Sequence, residues 1–491
     1  MEQIFTQNKR FIDAYGRERI FYGVNIVDKR ASSEDNKFAF KIDDAFLEEL
    51  TGNGMNIIRL GTTWSILEPE PGKYNDEYLD DMLRIFDLCE AHGVYVFFDM
   101  HQDLYSPKCY GDGAPDWATM TDGYKPKPIR FVWAEGYFWR RATHRAFENF
   151  WNNKECCGKG LIDHFVDLWK HVAVRFANHP ALFGFDMFNE PFIGADGRKL
   201  FARLIGNAVK TVLFDKRVSF TNFVGGFINK EKRAKLKFLD DVTGEVLADV
   251  TRSAGEKYVK KFDTQKYSPF VNKVSAAIRE LTDKGVLVMG NCYWSNTCVP
   301  SFISPIEVNG ERESNFCFSP HGYDFMVDTP QYKYASNDRI KGIFDEHKKT
   351  QERLSVPVLV GEWGGYGDSD EDWLPHIEFI VNLFEKNKWS HVYWCYFDGM
   401  LKTPLMKVLN RPYPVAVAGN ILSYGFDSKS KVFTLAYEQS AESCEPTVVY
   451  VHKTPKSVDG GEYESEAVGN NGSAKLMFKN GAGNHKIKIS F

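Results

Sequence analysis

Two glutamates stand out by their neighbours, Glu190 in Asn189–Glu190–Pro191 and Glu362 in Gly361–Glu362–Trp363. Each closes a short apolar run, LFGFDMFNE (182–190) and PVLVGEW (357–363). Two carboxyl groups facing each other across a cleft are what glycoside hydrolysis requires. One protonates the leaving oxygen and the other meets the developing oxocarbenium ion. A separation of about 5–5.5 Å gives retention through a glycosyl-enzyme and about 6.5–9.5 Å gives inversion, a distance only the folded chain sets. Other runs also end in polar or aromatic groups. Arg59 lies in 55–61, His101 closes 94–101 with Asp103 two residues on, His321 and Tyr323 lie in 316–324, and Trp394 lies in 391–397. The first run, 20–26, carries Asn25 and leads to Lys29.

These residues need a scaffold that brings them to one rim. With VLVMGN (286–291) the apolar runs number eight, and helical patterns such as 43–53, 76–93 and LIDHFVDLWKHVAVRFANHP alternate with them. Such alternation predicts βαβ units and a parallel sheet, and eight units predict a closed (β/α)8 barrel, here over residues 1–408. Barrel active sites sit at the C-terminal ends of the strands, where all of these residues fall. A doubly wound open sheet is the alternative, but no GxGxxG follows the first run. Near 410 the texture changes. After RPYPVAVAGN come VFTLAYE, TVVYVHK, AKLMFKN and HKIKISF, separated by Gly, Asn, Asp and Ser, which predicts a small antiparallel β-sandwich over 409–491. Residues 228–262 read as a solvated helical insertion.

Composition narrows the classes. The chain has 491 residues with 43% apolar and 26% charged, which is globular composition. Lys and Arg number 61 against 66 acidic residues, for a net charge of −5, and this argues against a nucleic-acid partner. No apolar stretch is long enough to span a membrane. The nine cysteines form no CxxC pair, and the first twenty residues lack a basic segment followed by an apolar one. The expectation is reduced thiols and a cytoplasmic chain, the alternative being a secreted chain whose signal has been removed. HExxH and GxSxG are both missing, so neither metal, cofactor nor lipase chemistry is expected.

In order along the chain, Arg59, His101, Asn189–Glu190–Pro191, His321, Tyr323, Glu362 and Trp394 resemble glycoside hydrolase family 5. The resemblance implies Glu190 as acid/base and Glu362 as nucleophile, with Asn189 on the sugar 2-hydroxyl. It also implies that Tyr323 and His321 orient the nucleophile, that Arg59 supports Glu362 from beneath, and that Trp394 stacks on the sugar. A finer resemblance lies in MHQDLYSPKCYGDGAPDWATMTDG (100–123), RAFENFW (145–151) and RPYPVAVAGN, which look like endoglycoceramidases within that family. By that resemblance His101, Asp103 and Lys29 bind hydroxyls of the lipid-linked sugar.

The segment after the third run is dense in aromatics. Phe131, Trp133, Tyr137, Phe138 and Trp139 are expected to wall a groove for acyl and sphingoid chains. Each buried methylene is worth about 0.8 kcal/mol, so even a shallow groove would dominate lipid binding. The expectation is a monomeric retaining endo-β-glycosidase acting on glycosphingolipid, with transient contact to a membrane or micelle. The rival is a β-glucosidase acting on glucosylceramide or a sterol glucoside, and a polysaccharide endo-glycanase is the third reading.

Overall fold

The computed structural model describes residues 1–130, 132–228, 236–327, 329, 331–366, 371–440 and 443–491. Its centre is a parallel eight-stranded sheet. In chain order the strands are Tyr22–Val27, Ile57–Thr63, Tyr95–His101, Leu182–Asp186, Val286–Met289, Phe316–Phe318, Leu359–Val360 and Ser390–Tyr393. Consecutive strands pair in parallel from the first to the fifth, the fifth pairs with the sixth, and the eighth returns to the first. The seventh pairs with the eighth, and the Phe318–Val358 bridge together with the short His321–Gly322 and Glu362–Trp363 strands joins sixth to seventh. The result is the barrel that the alternating runs predict.

Strand periodicity decides what points inward. Ile57 belongs to the interior cluster with Tyr95, Phe97, Val286, Val288, Cys317, Leu359 and Val392. Ile58, Leu60, Val96 and Phe98 face the surrounding helices. Two residues on from Ile57, Arg59 therefore points into the barrel, and two on from Phe97 so does Asp99. On the fourth strand Phe183 is interior, and a register shift between Val96 and Phe97 of its neighbour marks an extra residue there. The bulge reverses the alternation, so Asp186 also faces inward. Gly61 is required where it stands, because a Cβ would lie 2.6 Å from the Asp99 carboxylate.

The C-terminal residues form a sandwich. One sheet runs Asn420–Asp427, Val432–Gln439, Gly483–Ser490 and Ser457–Asp459. The other contains Tyr413–Val417, Thr447–Val451, Ser473–Phe478 and Tyr463–Val468, and it continues into the N-terminal strands Glu18–Arg19, Arg10–Asp13 and Ile4–Gln7. The first nineteen residues thus extend the sandwich, with Ala416 and Val417 paired to Arg19 and Glu18, although they precede the barrel in sequence. Their apolar side chains Ile4 and Phe11 plug the barrel floor against Phe21 and Phe183. At the junction, buried Arg411 contacts Glu385 at 2.9 Å and donates to the Phe426 carbonyl, tying a barrel helix to the sandwich. Of the insertion read over 228–262, the described residues 236–262 form a 3₁₀ turn, Lys237–Asp241, and the helix Gly244–Phe262. That helix is not solvated all round but buries Val246, Ala254, Val259 and Phe262. The helices Gly197–Phe214 and Phe220–Ile228 precede it.

Candidate active site

The floor of the site is Arg59, fully buried. Its guanidinium donates to Asp186 (2.8 Å), Asp99 (2.8 Å), Asn25 (3.1 Å), Asn189 (3.0 Å) and Glu362 (2.7 Å). A buried cation is tolerated when it is so surrounded. Glu362 takes the Arg59 donor on Oε1 and the Tyr323 hydroxyl on Oε2 at 3.0 Å. Both oxygens are held, so the carboxylate has a fixed aim.

Glu190 sits in a different environment. Its backbone has φ +40°, a left-handed conformation that an L residue adopts only when its surroundings hold it there. Gln102 contributes by donating to the carbonyls of Asn189 and Glu190. Oε1 of Glu190 contacts His321 Nδ1 at 3.0 Å and accepts from Asn296 Nδ2 at 3.1 Å. Burial, and next the charge of Asp103, push the Glu190 carboxyl up to about 7. A proton at neutral pH then resides on Oε2, because Oε1 faces two nitrogens. His321, pushed down to about 4 by burial, is neutral and donates through Nδ1. A carboxyl oxygen of Glu190 and one of Glu362 lie within 4.8 Å of each other and of His321. That closeness matches the spacing of about 5–5.5 Å used in double displacement better than the spacing of about 6.5–9.5 Å used in inversion.

A second charged group lines one end. His101 Nδ1 bonds Asp99 at 2.8 Å, its Nε2 lies 3.6 Å from Asp103, and its ring stacks on Trp394 at 5.3 Å. Burial and the Lys29 charge oppose a proton on His101, but Asp99 and Asp103 outweigh them and raise it to about 10. The Lys29 ammonium meets Asp103 at 2.5 Å and lies 4.4 Å over the Trp394 ring. The ligand atoms of His101, Asp103 and Asp112 lie close enough to hold an ion, as do those of Glu190, His321 and Glu362. In the first group Lys29 already supplies a cation, and in the second Arg59 does.

A cleft of about 610 Å³ joins these parts. Lys29, His101, Asp103, Asp112 and Trp394 line it together with Glu190, Glu362 and Tyr323. Val132, Trp133, Phe138, Tyr293, Phe325 and Val327 give it an apolar wall. Of the aromatics read as a lipid groove, Trp133 and Phe138 lie on that wall. Tyr137 is placed differently. It is fully buried, stacked on Phe192 at 4.8 Å, with its hydroxyl bonded to Leu104 N and Gln102. The phenol is needed inside because those donors have no water to turn to. Trp139 is exposed and packs on Phe201 at 5.5 Å. Phe131 lies outside the described residues.

The site also holds groups that the sequence reading did not single out. Asp99 could have been found, since it stands two residues before His101 on one strand face. Asp186 could not, because the bulge hides its direction. Asn296 lies in a 3₁₀ turn, Tyr293–Thr297, where no periodicity marks it.

Residues 13–217 and 245–399 match the cellulase family (glycosyl hydrolase family 5), and residues 411–489 match the glycoside hydrolase family 5 C-terminal domain. An endoglycoceramidase of Hydra vulgaris is 27% identical, over 93% of this chain and 82% of its own. In fold, the chain is similar to endo-glycoceramidase II from a Rhodococcus species, with TM-score 0.73 and 23% identity over 99% of both chains. It is similar as well to a Cryptococcus neoformans sterylglucosidase, with TM-score 0.71 and 16% identity over 99% of this chain and 97% of that one. The two matched segments cover most of the sequence and hold both glutamates, and the chain belongs to glycoside hydrolase family 5.

Proposed function

We propose that the enzyme is a retaining endo-β-glycosidase that cleaves the bond between the oligosaccharide and the ceramide of glycosphingolipids. One observation carries this reading. A single cleft has a charged, hydroxyl-binding end and an apolar wall, and the two meet at Glu190 and Glu362. The endoglycoceramidase named above matches over nearly the whole length, which supports the same substrate class.

The steps follow from the geometry. The sugar next to the scissile bond stacks on Trp394, with Lys29, His101, Asp103 and Asn189 on its hydroxyls. Glu362 attacks the anomeric carbon as Glu190 gives its proton to the ceramide oxygen, which leaves as the alcohol. The product is a glycosyl ester on Glu362, and Glu190 is now a carboxylate. It removes a proton from water, the hydroxide displaces Glu362, and the sugar leaves with its configuration retained. Burial around Glu190 favours its protonated form, while Arg59 and Tyr323 hold both oxygens of Glu362 in place for attack, so two like groups take two roles. The lipid chains lie along Trp133 and Phe138. The enzyme works as a monomer that touches a membrane or micelle transiently.

Mass spectrometry of products from a panel of short and long glycosphingolipids plus a sterol glucoside tests this. Intact oligosaccharide with free ceramide is expected. Glucose released only from one-sugar lipids would move the enzyme to the lipid-glucosidase class, to which the sterylglucosidase named above belongs. Turnover of soluble β-glycans alone would make it a polysaccharide hydrolase.

A further inference from the structure

The helix Gly197–Phe214 has an unusual outer face. Ile205, Val209 and Leu213 follow one another at four-residue spacing and are 50%, 51% and 53% exposed. Side chains four apart share one face, so these form a ridge. Phe214 (80% exposed) ends it, and Phe220, also exposed, follows after a short turn. A soluble helix places polar groups on its outer face, and one that does not has a partner for it.

The ridge begins at the cleft. Phe201, four residues before Ile205, stacks face to face on Phe138 at 4.7 Å with 8° between the rings. Phe138 is on the apolar wall of the cleft, and Trp139, exposed, leans on the same Phe201 ring. From Phe201 to Leu213 the ridge runs about 18 Å at 1.5 Å per residue. An apolar surface therefore continues without a break from the aglycone wall to the outside of the molecule.

Its charge is also distinct. From 198 to 228 the only acidic residue is Asp215, in a chain whose net charge is −5. Arg217 pairs with Asp215 and also with the exposed Glu245 and Asp249 of the helix Gly244–Phe262, so it is not a free cation of this surface. Lys210 and Lys216 are exposed beside the ridge and form no ion pair among the described residues. The family match breaks off at 217 and resumes at 245, so Phe220 and the helix Phe220–Ile228 lie outside the matched stretches.

We propose that the ridge Ile205–Val209–Leu213, with Phe214 and Phe220, is a docking surface for the face of an anionic lipid bilayer. The apolar side chains enter the interface and Lys210 and Lys216 meet the headgroups, each cation adding attraction that salt screens. Docked in this way, the enzyme has its aglycone wall at the membrane, and a lipid passes from the bilayer along Phe201 and Phe138 without exposing its chains to water. The inference deepens the proposed function and rests on it for the purpose of docking, but its test does not.

Flotation of the full chain with glycolipid-free vesicles of phosphatidylcholine and phosphatidylserine is the experiment, beside turnover of a soluble aryl β-glycoside. The parent chain is expected to float, and Ile205→Ser/Val209→Ser/Leu213→Ser to bind about tenfold or more weakly while turning over the soluble substrate normally. Lys210→Glu/Lys216→Glu is expected to lose binding to the anionic vesicles at low salt while keeping the ridge intact. Undiminished flotation of the triple variant overturns the proposal. So does a parent chain that sediments as a dimer and becomes monomeric in the triple variant, since the ridge would then cover a second copy. Vesicle binding without hydrolysis of any glycosphingolipid would leave the docking surface standing and remove the proposed substrate.

Discussion

His321 Nδ1 lies 3.0 Å from Glu190 Oε1 and 3.5 Å from Glu362 Oε2, so one neutral ring bridges the two carboxyl groups. A cation in direct contact with Glu190 would hold it ionised and disable it as an acid. Burial prevents that by keeping the ring unprotonated at neutral pH. The ring can then donate to Glu190 Oε1 and leave Oε2 for the proton.

The pH profile follows from Glu190. Its carboxyl is raised to about 7, and it must be protonated to cleave the bond. Cleavage in kcat/KM should therefore fall as pH rises through about 7, and Glu190→Gln should remove that limb and lower kcat by about 10²–10⁴-fold. A substrate with a good phenol leaving group should recover most of the rate of bond breaking. An unchanged basic limb in Glu190→Gln would assign the acid elsewhere.

Glu362→Gln keeps the shape of the site and its bonds to Arg59 and Tyr323 within reach, but it removes the nucleophile. The expected outcome is loss of turnover with lipid binding retained in calorimetry. Mass spectrometry of the parent enzyme with a slow fluorosugar substrate should find the label on the peptide containing Glu362, as double displacement requires.

Trp133 and Phe138 stand on the apolar wall, Trp133 edge-on to Tyr137 at 6.0 Å and Phe138 stacked on Phe201 at 4.7 Å. Trp133→Ala should raise KM for a long-chain glycosphingolipid about tenfold and leave a soluble aryl β-glycoside almost untouched, given about 1.5–3 kcal/mol for burying a large apolar side chain. An equal effect on both substrates would show that the residue shapes the site and does not hold the lipid.

Arg411 is a stability residue. Its removal leaves Glu385 buried at the barrel–sandwich junction without its cation. Arg411→Ala should lower unfolding free energy by about 3 kcal/mol or more in denaturant titration above pH 7, where Glu385 is ionised. Because burial raises Glu385 to about 7, the parent chain gains stability from this carboxyl at low pH and loses it as pH rises through about 7. Glu385→Gln should flatten that part of the stability curve.

Local pattern was enough to determine much of this protein. Alternating apolar runs and amphipathic helices specify a barrel, since each run must be buried on both faces. Strand ends then name His101, Glu190, His321, Tyr323, Glu362 and Trp394 as rim residues, with Arg59 on the second strand beneath them. What needed the tertiary structure are the relations that arise when distant segments meet. The bulge on the fourth strand turns Asp186 toward Arg59, and no local pattern marks an extra residue. The separation of Glu190 and Glu362 depends on barrel closure, and Asn296 reaches Glu190 from a turn without periodicity. Tyr137 looked like its aromatic neighbours in sequence but is buried, because the backbone amide of Leu104 and the Gln102 side chain lie behind the cleft wall and bond its hydroxyl. The N-terminal strands join the sandwich because their partner edge, Tyr413–Val417, comes into existence only after some four hundred further residues have folded beneath it.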